Sequence, residues 1–176
     1  VSTAAEKYHR DAKDIRVMAV SKTQPVEAVR AAAAAGLRDF GENYLQEALE
    51  KIAATADLDL CWHFIGPIQS NKTRAIAAHF DWVHSVDRAK ILRRLSEQRE
   101  DSQAPLSVCL QVNVSGEDSK SGVAPAELEE LLALADELPR IRLRGLMAIP
   151  APSDNFEEQR AACEFLARLL RAAVSY

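Results

Sequence analysis

The sequence is poor in cysteine and has no long apolar run. Its three cysteines, Cys61, Cys109 and Cys163, stand far apart and match neither the C-x-x-C spacing of a metal site nor a disulfide framework. We therefore expect buried thiols in a reducing compartment and no metal site. The opening segment VSTAAEKYHRDAKD has no apolar signal-peptide core, and no later segment approaches the roughly 20 apolar residues of a membrane span. These absences favour a cytoplasmic protein that does not cross a membrane.

The chain also lacks an excess of positive charge. It carries 22 Lys and Arg residues against 26 Asp and Glu residues, a net charge of −4, so we expect no basic face for nucleic acid. Of its 176 residues 48% are hydrophobic and 27% are charged, which is typical of a globular domain with a sizeable core. No linker or change of composition divides the sequence, so we predict a single domain over residues 1–176.

Short apolar segments alternate with amphipathic segments along the chain. Six of the apolar segments have the branched and aromatic residues of buried β-strands: IRVMAV, LRDFGE, CWHFIG, DWVHSV, LSVCLQVNV and LRGLMAI. Helical segments lie between them, and one of these begins near Pro25 and ends before Gly36. Strands followed by helices at this spacing predict a parallel sheet covered by helices.

Two kinds of parallel fold fit this alternation. A doubly wound nucleotide-binding sheet needs the glycine-rich G-x-G-x-x-G turn after its first strand, where this chain has AVSKTQP. A (β/α)8 barrel of the TIM type normally has eight strands. We therefore predict a TIM-type barrel of which about six βα units are present and the last two are absent.

Polar side chains stand at the predicted strand ends. In a barrel these ends meet on one rim, where the chemistry of the fold takes place. The residues at the six ends are Ser21 and Lys22; Glu42 and Asn43; His63; His84, Ser85 and Asp87; Asn113; and Met147.

Lys22 is the only one of the seven lysines that directly ends an apolar strand. Burial at such a place would lower the pKa of the amine, and a neutral amine attacks aldehydes. Lys22 is therefore a candidate for a covalent bond to an aldehyde, with a solvated strand end as the alternative. Asn43 is equally well explained as a helix cap, His63 as a core histidine and Met147 as core packing.

Two loops have alternative interpretations. GPIQSNKT resembles a phosphate-binding loop, but Asn71 stands where the second glycine belongs and Pro67 lacks an N–H that such a loop would use. Nucleotide hydrolysis is therefore disfavoured. In SGEDSKSG, Glu117 and Asp118 are too isolated for a convincing metal site, whereas Lys120 could reach over the mouth of the barrel.

Six segments, in this order, resemble the YggS/PROSC family, also called pyridoxal phosphate homeostasis proteins: AVSKTQP, DFGENYLQEALEK, WHFIGPIQSNKTR, FDWVHSVDR, VNVSGEDSKSG and RLRGLMAIPAP. The match runs from Arg16 to about Arg171. It implies a modified (β/α)8 barrel similar to the alanine racemase N-terminal domain, with pyridoxal 5′-phosphate (PLP) held on Lys22 as an aldimine. The resemblance places Asn43 and Met147 near the cofactor and links Lys120 to its handling.

The resemblance also implies two further βα units after the sixth helix, which bind the phosphate of PLP. Barrels usually bind phosphate at the loops after strands 7 and 8, so the general rule agrees with the family pattern. We expect the chain to be part of a longer protein that contains these units.

Two functions follow from the resemblance. The preferred one is a PLP-binding protein of intracellular PLP homeostasis, which stores the cofactor or delivers it to PLP-dependent apo-enzymes without substantial catalytic activity of its own. The alternative is a PLP-dependent amino-acid racemase or a related fold-type III enzyme. Racemisation needs acid and base groups on both faces of the substrate, and none of Tyr8, Tyr44 and Tyr176 lies at an obvious strand end. We expect a monomer.

Overall fold

The computed structural model of the chain describes residues 1–115 and 121–174. Residues 173 and 174 are described by their backbone only. Lys120, one of the predicted site residues, lies outside the described residues. All the other predicted site residues lie within them.

Six parallel strands form one sheet in the described part of the chain. They are β1 (Met18–Val20), β2 (Asp39–Glu42), β3 (Cys61–Phe64), β4 (Trp82–Val86), β5 (Leu106–Gln111) and β6 (Ile141–Met147). Neighbours in the sheet are also neighbours in the sequence, in the order β1-β2-β3-β4-β5-β6. A doubly wound sheet reverses its strand order at a switch point, whereas the wall of a (β/α) barrel does not. The predicted barrel-type alternation is therefore confirmed.

A helix follows each strand. The helices are α1 (Ser2–Lys7), α2 (Val26–Ala34), α3 (Leu45–Ala54), α4 (Thr73–His79), α5 (Ala89–Gln98), α6 (Leu128–Glu137) and α7 (Phe156–Val174). Pro25 precedes the first residue of α2, and Gly36, with φ of 100°, lies just beyond its end, as predicted. None of the helices in residues 1–115 and 121–174 is long and apolar enough to cross a membrane.

The two faces of the sheet have different roles. Phe40, Phe64 and Val83 belong to the same buried cluster as the helix residues Ile76 and Leu92, so this face packs against the helices. Because successive side chains of a strand point to opposite faces, the residues between them point away from the helices. These residues are polar or aromatic at several positions: Asp39, Cys61, His63, Trp82 and His84.

We predict that Leu92→Ala lowers the free energy of unfolding by about 2–5 kcal/mol, because truncation of a buried leucine removes apolar contacts and leaves a cavity. Leu92 of α5 has 0% exposure. Leu170→Ala is the matched control: Leu170 of α7 is 40% exposed and its truncation should cost much less. Urea denaturation measures both, and equal losses for the two variants would contradict this assignment of the core.

Candidate functional site

The carboxyl ends of all six strands lie along one edge of the sheet, because the strands are parallel. Lys22 follows the end of β1 by two residues, Asn43 directly follows β2, and Met147 is the last residue of β6. The structure therefore brings the three described candidates to the same edge. Met147 is half-buried there.

Lys22 is exposed, which agrees with the alternative of a solvated strand end and does not supply the burial on which its candidacy partly depended. The short strand β1 ends at Val20, and it is Ser21, only 5% exposed, that turns into the protein. β1 is also an edge strand of the described sheet, so it has a neighbouring strand on one side only. Within the described residues, the Lys22 side chain forms no hydrogen bond or ion pair.

The buried lysine of the site is Lys51 of α3, whose side chain is 4% exposed. Its Nζ atom lies 2.7 Å from Glu42 Oε1 and 2.6 Å from Glu47 Oε1, and it donates a hydrogen bond of 2.6 Å to the Ser21 carbonyl oxygen. Burial acts to lower the pKa of Lys51, but the hydrogen bonds and charges of the two carboxylates outweigh it and hold this pKa above its usual value. Lys51 therefore keeps its proton and is not a nucleophile.

Sequence reasoning did not single out Lys51. A signal was available, because Lys51 lies at the i, i+3 and i+4 spacing of one helix face with the apolar residues Ala48 and Ile52, and Thr55, directly after α3, continues this spacing. Ala48 and Thr55 are 0% and 1% exposed. A lysine on such a stripe needs a buried acid as partner. Glu42, at the end of β2, supplies it.

Asn43 lies where three strand ends meet. Its Oδ1 atom is buried and has no hydrogen-bond partner in the described part of the chain. A Cβ atom on Gly66 would lie 2.2 Å from the Asn43 carbonyl oxygen, so only glycine allows this approach. Ser85 of β4 donates a hydrogen bond of 2.5 Å to the Gly66 carbonyl oxygen and holds it in place. Glu42 Oε2, at the end of β2, is a second buried oxygen without a hydrogen-bond partner in the described residues. The result is a packed edge with two unsatisfied buried acceptors, as expected where a ligand binds.

His63 is the last residue but one of β3, and His84 lies two residues before the end of β4, so both stand within their strands rather than directly at the predicted ends. His63 Nε2 lies 2.9 Å from Asp39 Oδ1, and His63 Nδ1 lies 2.9 Å from His84 Nε2. Trp82 stacks on both rings, with centroid distances of 5.5 and 5.7 Å. Burial lowers the pKa of His63. Burial also lowers the pKa of His84, and the neighbouring His63 ring adds to the effect, so that the pKa of His84 falls to about 4.

Asp39, Cys61 and His63 form a second cluster. A carboxylate oxygen, the thiol sulfur and a ring nitrogen, the kinds of atom that can bind a metal, all lie within 4.8 Å of one another. The sequence did not reveal it, because the three residues come together only through the pairing of β2 with β3. Asp39 Oδ1 is already bound by His63 and by Arg16 at 3.2 Å. Burial, aided by nearby carboxylates, raises the pKa of the Cys61 thiol to about 12. These contacts describe a hydrogen-bonded cluster with a protonated thiol.

The other two cysteines differ in exposure. Cys109 is buried, and burial raises the pKa of its thiol to about 11. Cys163 is exposed, so the expectation of a buried thiol is wrong at that position.

The family model of the alanine racemase N-terminal domain matches residues 3–175. The pyridoxal phosphate homeostasis protein of Pseudomonas aeruginosa is 62% identical over 170 residues, which are 97% of this chain and 74% of that protein. The chain belongs to the pyridoxal phosphate homeostasis protein family. The sequence resemblance to this family is thereby confirmed.

Solved structures support the same placement. PipY of Synechococcus elongatus, a structure with PLP bound, superposes with a TM-score of 0.82 at 37% identity, over 98% of this chain and 82% of that chain. An alanine racemase of Clostridium difficile superposes with a TM-score of 0.73 at 16% identity, over 91% of this chain and 44% of that chain. The latter likeness shows the fold alone, and the predicted similarity to the alanine racemase N-terminal domain is confirmed.

We predict that His84→Gln makes the stability of the protein less dependent on pH. The pKa of His84 is lowered from 6.5 to about 4 on folding, so the unfolded chain binds a proton that the folded chain does not. The stability that this difference contributes is complete above about pH 6.5 and is lost as the pH falls towards about 4. Urea denaturation at a series of pH values should show a shallower decline in the variant. Parallel profiles for parent and variant would contradict the prediction.

We predict that Gly66→Ala displaces Asn43 and lowers the free energy of unfolding by about 1–3 kcal/mol, as overpacking does. The cause is the 2.2 Å approach of the new Cβ atom to a backbone oxygen, which no side-chain rotation relieves. Gln69→Ala, an exposed change in the same loop, is the control and should be near neutral. Urea denaturation and the NMR shift of the Asn43 amide measure the effect. An unshifted Asn43 signal would count against the packed edge.

Proposed function

We propose that this chain binds PLP covalently through Lys22 and serves intracellular PLP homeostasis by storing or delivering the cofactor. The observation that carries the proposal is the exposed Lys22 amine at the carboxyl edge, in a chain 62% identical to a protein named for PLP homeostasis. An amine and an aldehyde join by a carbon–nitrogen bond with the loss of water, and they separate again by its hydrolysis. Such a bond suits a protein that must both hold and release an aldehyde.

The residues at this edge fit the chemical groups of PLP. Lys22 offers a free amine to the aldehyde, and the buried Asn43 Oδ1 atom offers an unsatisfied acceptor to a polar substituent of the ring. Met147, a half-buried thioether at the end of β6, suits the flat ring surface. We propose these three as cofactor-binding residues. The role that the family resemblance implies for Lys120 stays a prediction.

The alternative function is an amino-acid racemase, and one residue of the edge bears on it. Tyr44 lies two residues beyond the end of β2, so the expectation that no tyrosine stands near a strand end is wrong for this one. It is 58% exposed, and within the described residues its hydroxyl has no hydrogen-bond partner to orient it. A general acid must be held within reach of the reacting atom. This observation supports a carrier without substantial catalytic activity over a racemase.

The remaining properties belong to the same proposal. We infer a single PLP-binding barrel domain that acts as a monomer in the cytoplasm, with PLP-dependent apo-enzymes as acceptors and without nucleic-acid partners. The net charge of −4 supports the absence of nucleic-acid binding, and the free cysteines of the described residues suit a reducing compartment.

We predict that addition of PLP to the chain produces a visible absorption band, and that borohydride then fixes the cofactor to the Lys22 peptide in mass spectrometry. Lys22→Ala should abolish the Lys22 adduct, and Lys22→Arg should also fail because a guanidinium keeps its proton. Lys90→Ala, which removes an exposed lysine of α5, is the control and should behave as the parent. Labelling at another lysine in the parent would contradict the assignment of Lys22.

The same preparation distinguishes the carrier from the racemase. Incubation of the PLP-loaded chain with L-alanine should give D-alanine at far below about 1 per second, the low end of ordinary enzyme rates. Turnover at such a rate that is lost in Tyr44→Phe would establish the racemase instead.

A further inference from the structure

The backbone on both sides of Lys22 is held by one hydrogen-bonded network, which is buried at Ser21 and exposed at Thr23. On the N-terminal side, the Ser21 carbonyl oxygen accepts a hydrogen bond of 2.6 Å from Lys51 Nζ. On the C-terminal side, the Thr23 N–H donates a hydrogen bond of 2.6 Å to Glu47 Oε1, and the same oxygen atom lies 2.6 Å from Lys51 Nζ. The turn from Ser21 to Thr23 is therefore anchored at each end to α3, while the Lys22 side chain stays exposed.

Thr23 shows why this turn needs an anchor. Its φ of 62° lies in the left-handed region, which is unfavourable for a β-branched residue and persists only where surrounding contacts stabilise it. The contact with Glu47 is exposed, but it is charge-assisted because the acceptor is a carboxylate. Lys51 holds the Glu47 carboxylate in place and lowers its pKa, so the acceptor stays ionised.

Glu42 connects the network to the sheet. Its side chain has 0% exposure, and its Oε1 atom accepts hydrogen bonds from Ser21 Oγ and Lys51 Nζ, both at 2.7 Å. Lys51 thus joins the end of β2, the helix α3 and the turn after β1. Removal of its charge alone would leave a buried carboxylate without a cation.

We propose that Lys51 is a positioning residue for Lys22: with Glu42 and Glu47 it fixes the Ser21–Thr23 turn and so directs the Lys22 amine to the carboxyl edge of the sheet. The proposal rests on the proposed covalent role of Lys22. A lysine side chain has several rotatable bonds, so a fixed backbone restricts where its amine can reach and favours the productive arrangement. Lys51 acts through the backbone and need not touch the cofactor.

The test uses three variants of the whole chain. Glu42→Gln/Lys51→Met removes the two fully buried charges together, so that Glu42 is not left as a buried carboxylate without a cation, and keeps an acceptor for the Ser21 hydroxyl. Glu47 loses its cation in this variant, but its side chain is 29% exposed and keeps access to water. Glu47→Ala removes the acceptor of the Thr23 N–H and leaves the Lys51–Glu42 pair in place. Thr55→Val is the matched control: Thr55 directly follows α3 and is 1% exposed, and its hydroxyl donates a hydrogen bond to the Lys51 carbonyl oxygen rather than to the turn.

Two measurements separate positioning from stability. Without PLP, amide hydrogen exchange of the peptide containing residues 21–24 should be faster in the first two variants and unchanged in Thr55→Val. With PLP, borohydride trapping should show the Lys22 adduct forming at least tenfold more slowly in the first two variants. Urea denaturation gives the free energy of unfolding of all three variants, and it shows whether faster exchange or slower adduct formation merely follows a general loss of stability.

Three outcomes decide the proposal. Faster exchange together with slower adduct formation, both absent from Thr55→Val at comparable stability, supports it. Parent-like adduct formation in the first two variants overturns it, as does equal slowing in Thr55→Val. If the parent itself forms no Lys22 adduct, the proposed function fails, and the positioning role fails with it. The exchange data then show only whether the network restricts the Ser21–Thr23 turn.

Discussion

The parallel direction of all six strands is the constraint on which the rest of the molecule depends. Each strand must return to the same side of the sheet before the next can pair with it, so a helix follows every strand. These helices bury one face of the sheet, and all the carboxyl ends come to one edge. Lys22, Asn43 and Met147, which are far apart in the sequence, reach this edge for that reason alone.

The alternation of apolar and amphipathic segments was sufficient to predict all six strands, because buried parallel strands read as apolar runs. The edge at which Lys22, Asn43 and Met147 lie was predictable for the same reason. Burial of individual side chains was not, because it depends on contacts between elements. For Lys22 the sequence left burial and a solvated strand end as alternatives, and the structure shows it exposed, whereas Lys51 is buried because α3 turns its apolar stripe towards Glu42. His63 and His84 were placed at the edge because a sequence pattern does not show where a strand ends.

The sheet separates two sets of polar residues. Asp39, His63 and His84 bond one another from within the strands, on the face turned away from the core helices, and burial favours their neutral imidazoles. Glu42, Glu47 and Lys51 lie between the sheet and α3, and their contacts lower the pKa of Glu47 and raise the pKa of Lys51, which favours the charged forms of these two groups. Each set contains buried residues, but only the second is bonded to the turn that carries Lys22.

Under the proposed function, Lys22 and Lys51 meet two requirements that a single side chain could not meet together. An ammonium that holds a turn through two carboxylates must keep its proton, and these carboxylates raise the pKa of Lys51. An amine that attacks an aldehyde must be able to lose its proton and must be accessible. Lys51 is closed to solvent and paired with carboxylates, which excludes it as the nucleophile. Lys22 is open to solvent, and no carboxylate of the described residues pairs with it. We therefore assign the fixing of the turn to Lys51 and the reaction with the aldehyde to Lys22, in keeping with the hydrogen bonds of the one and the exposure of the other.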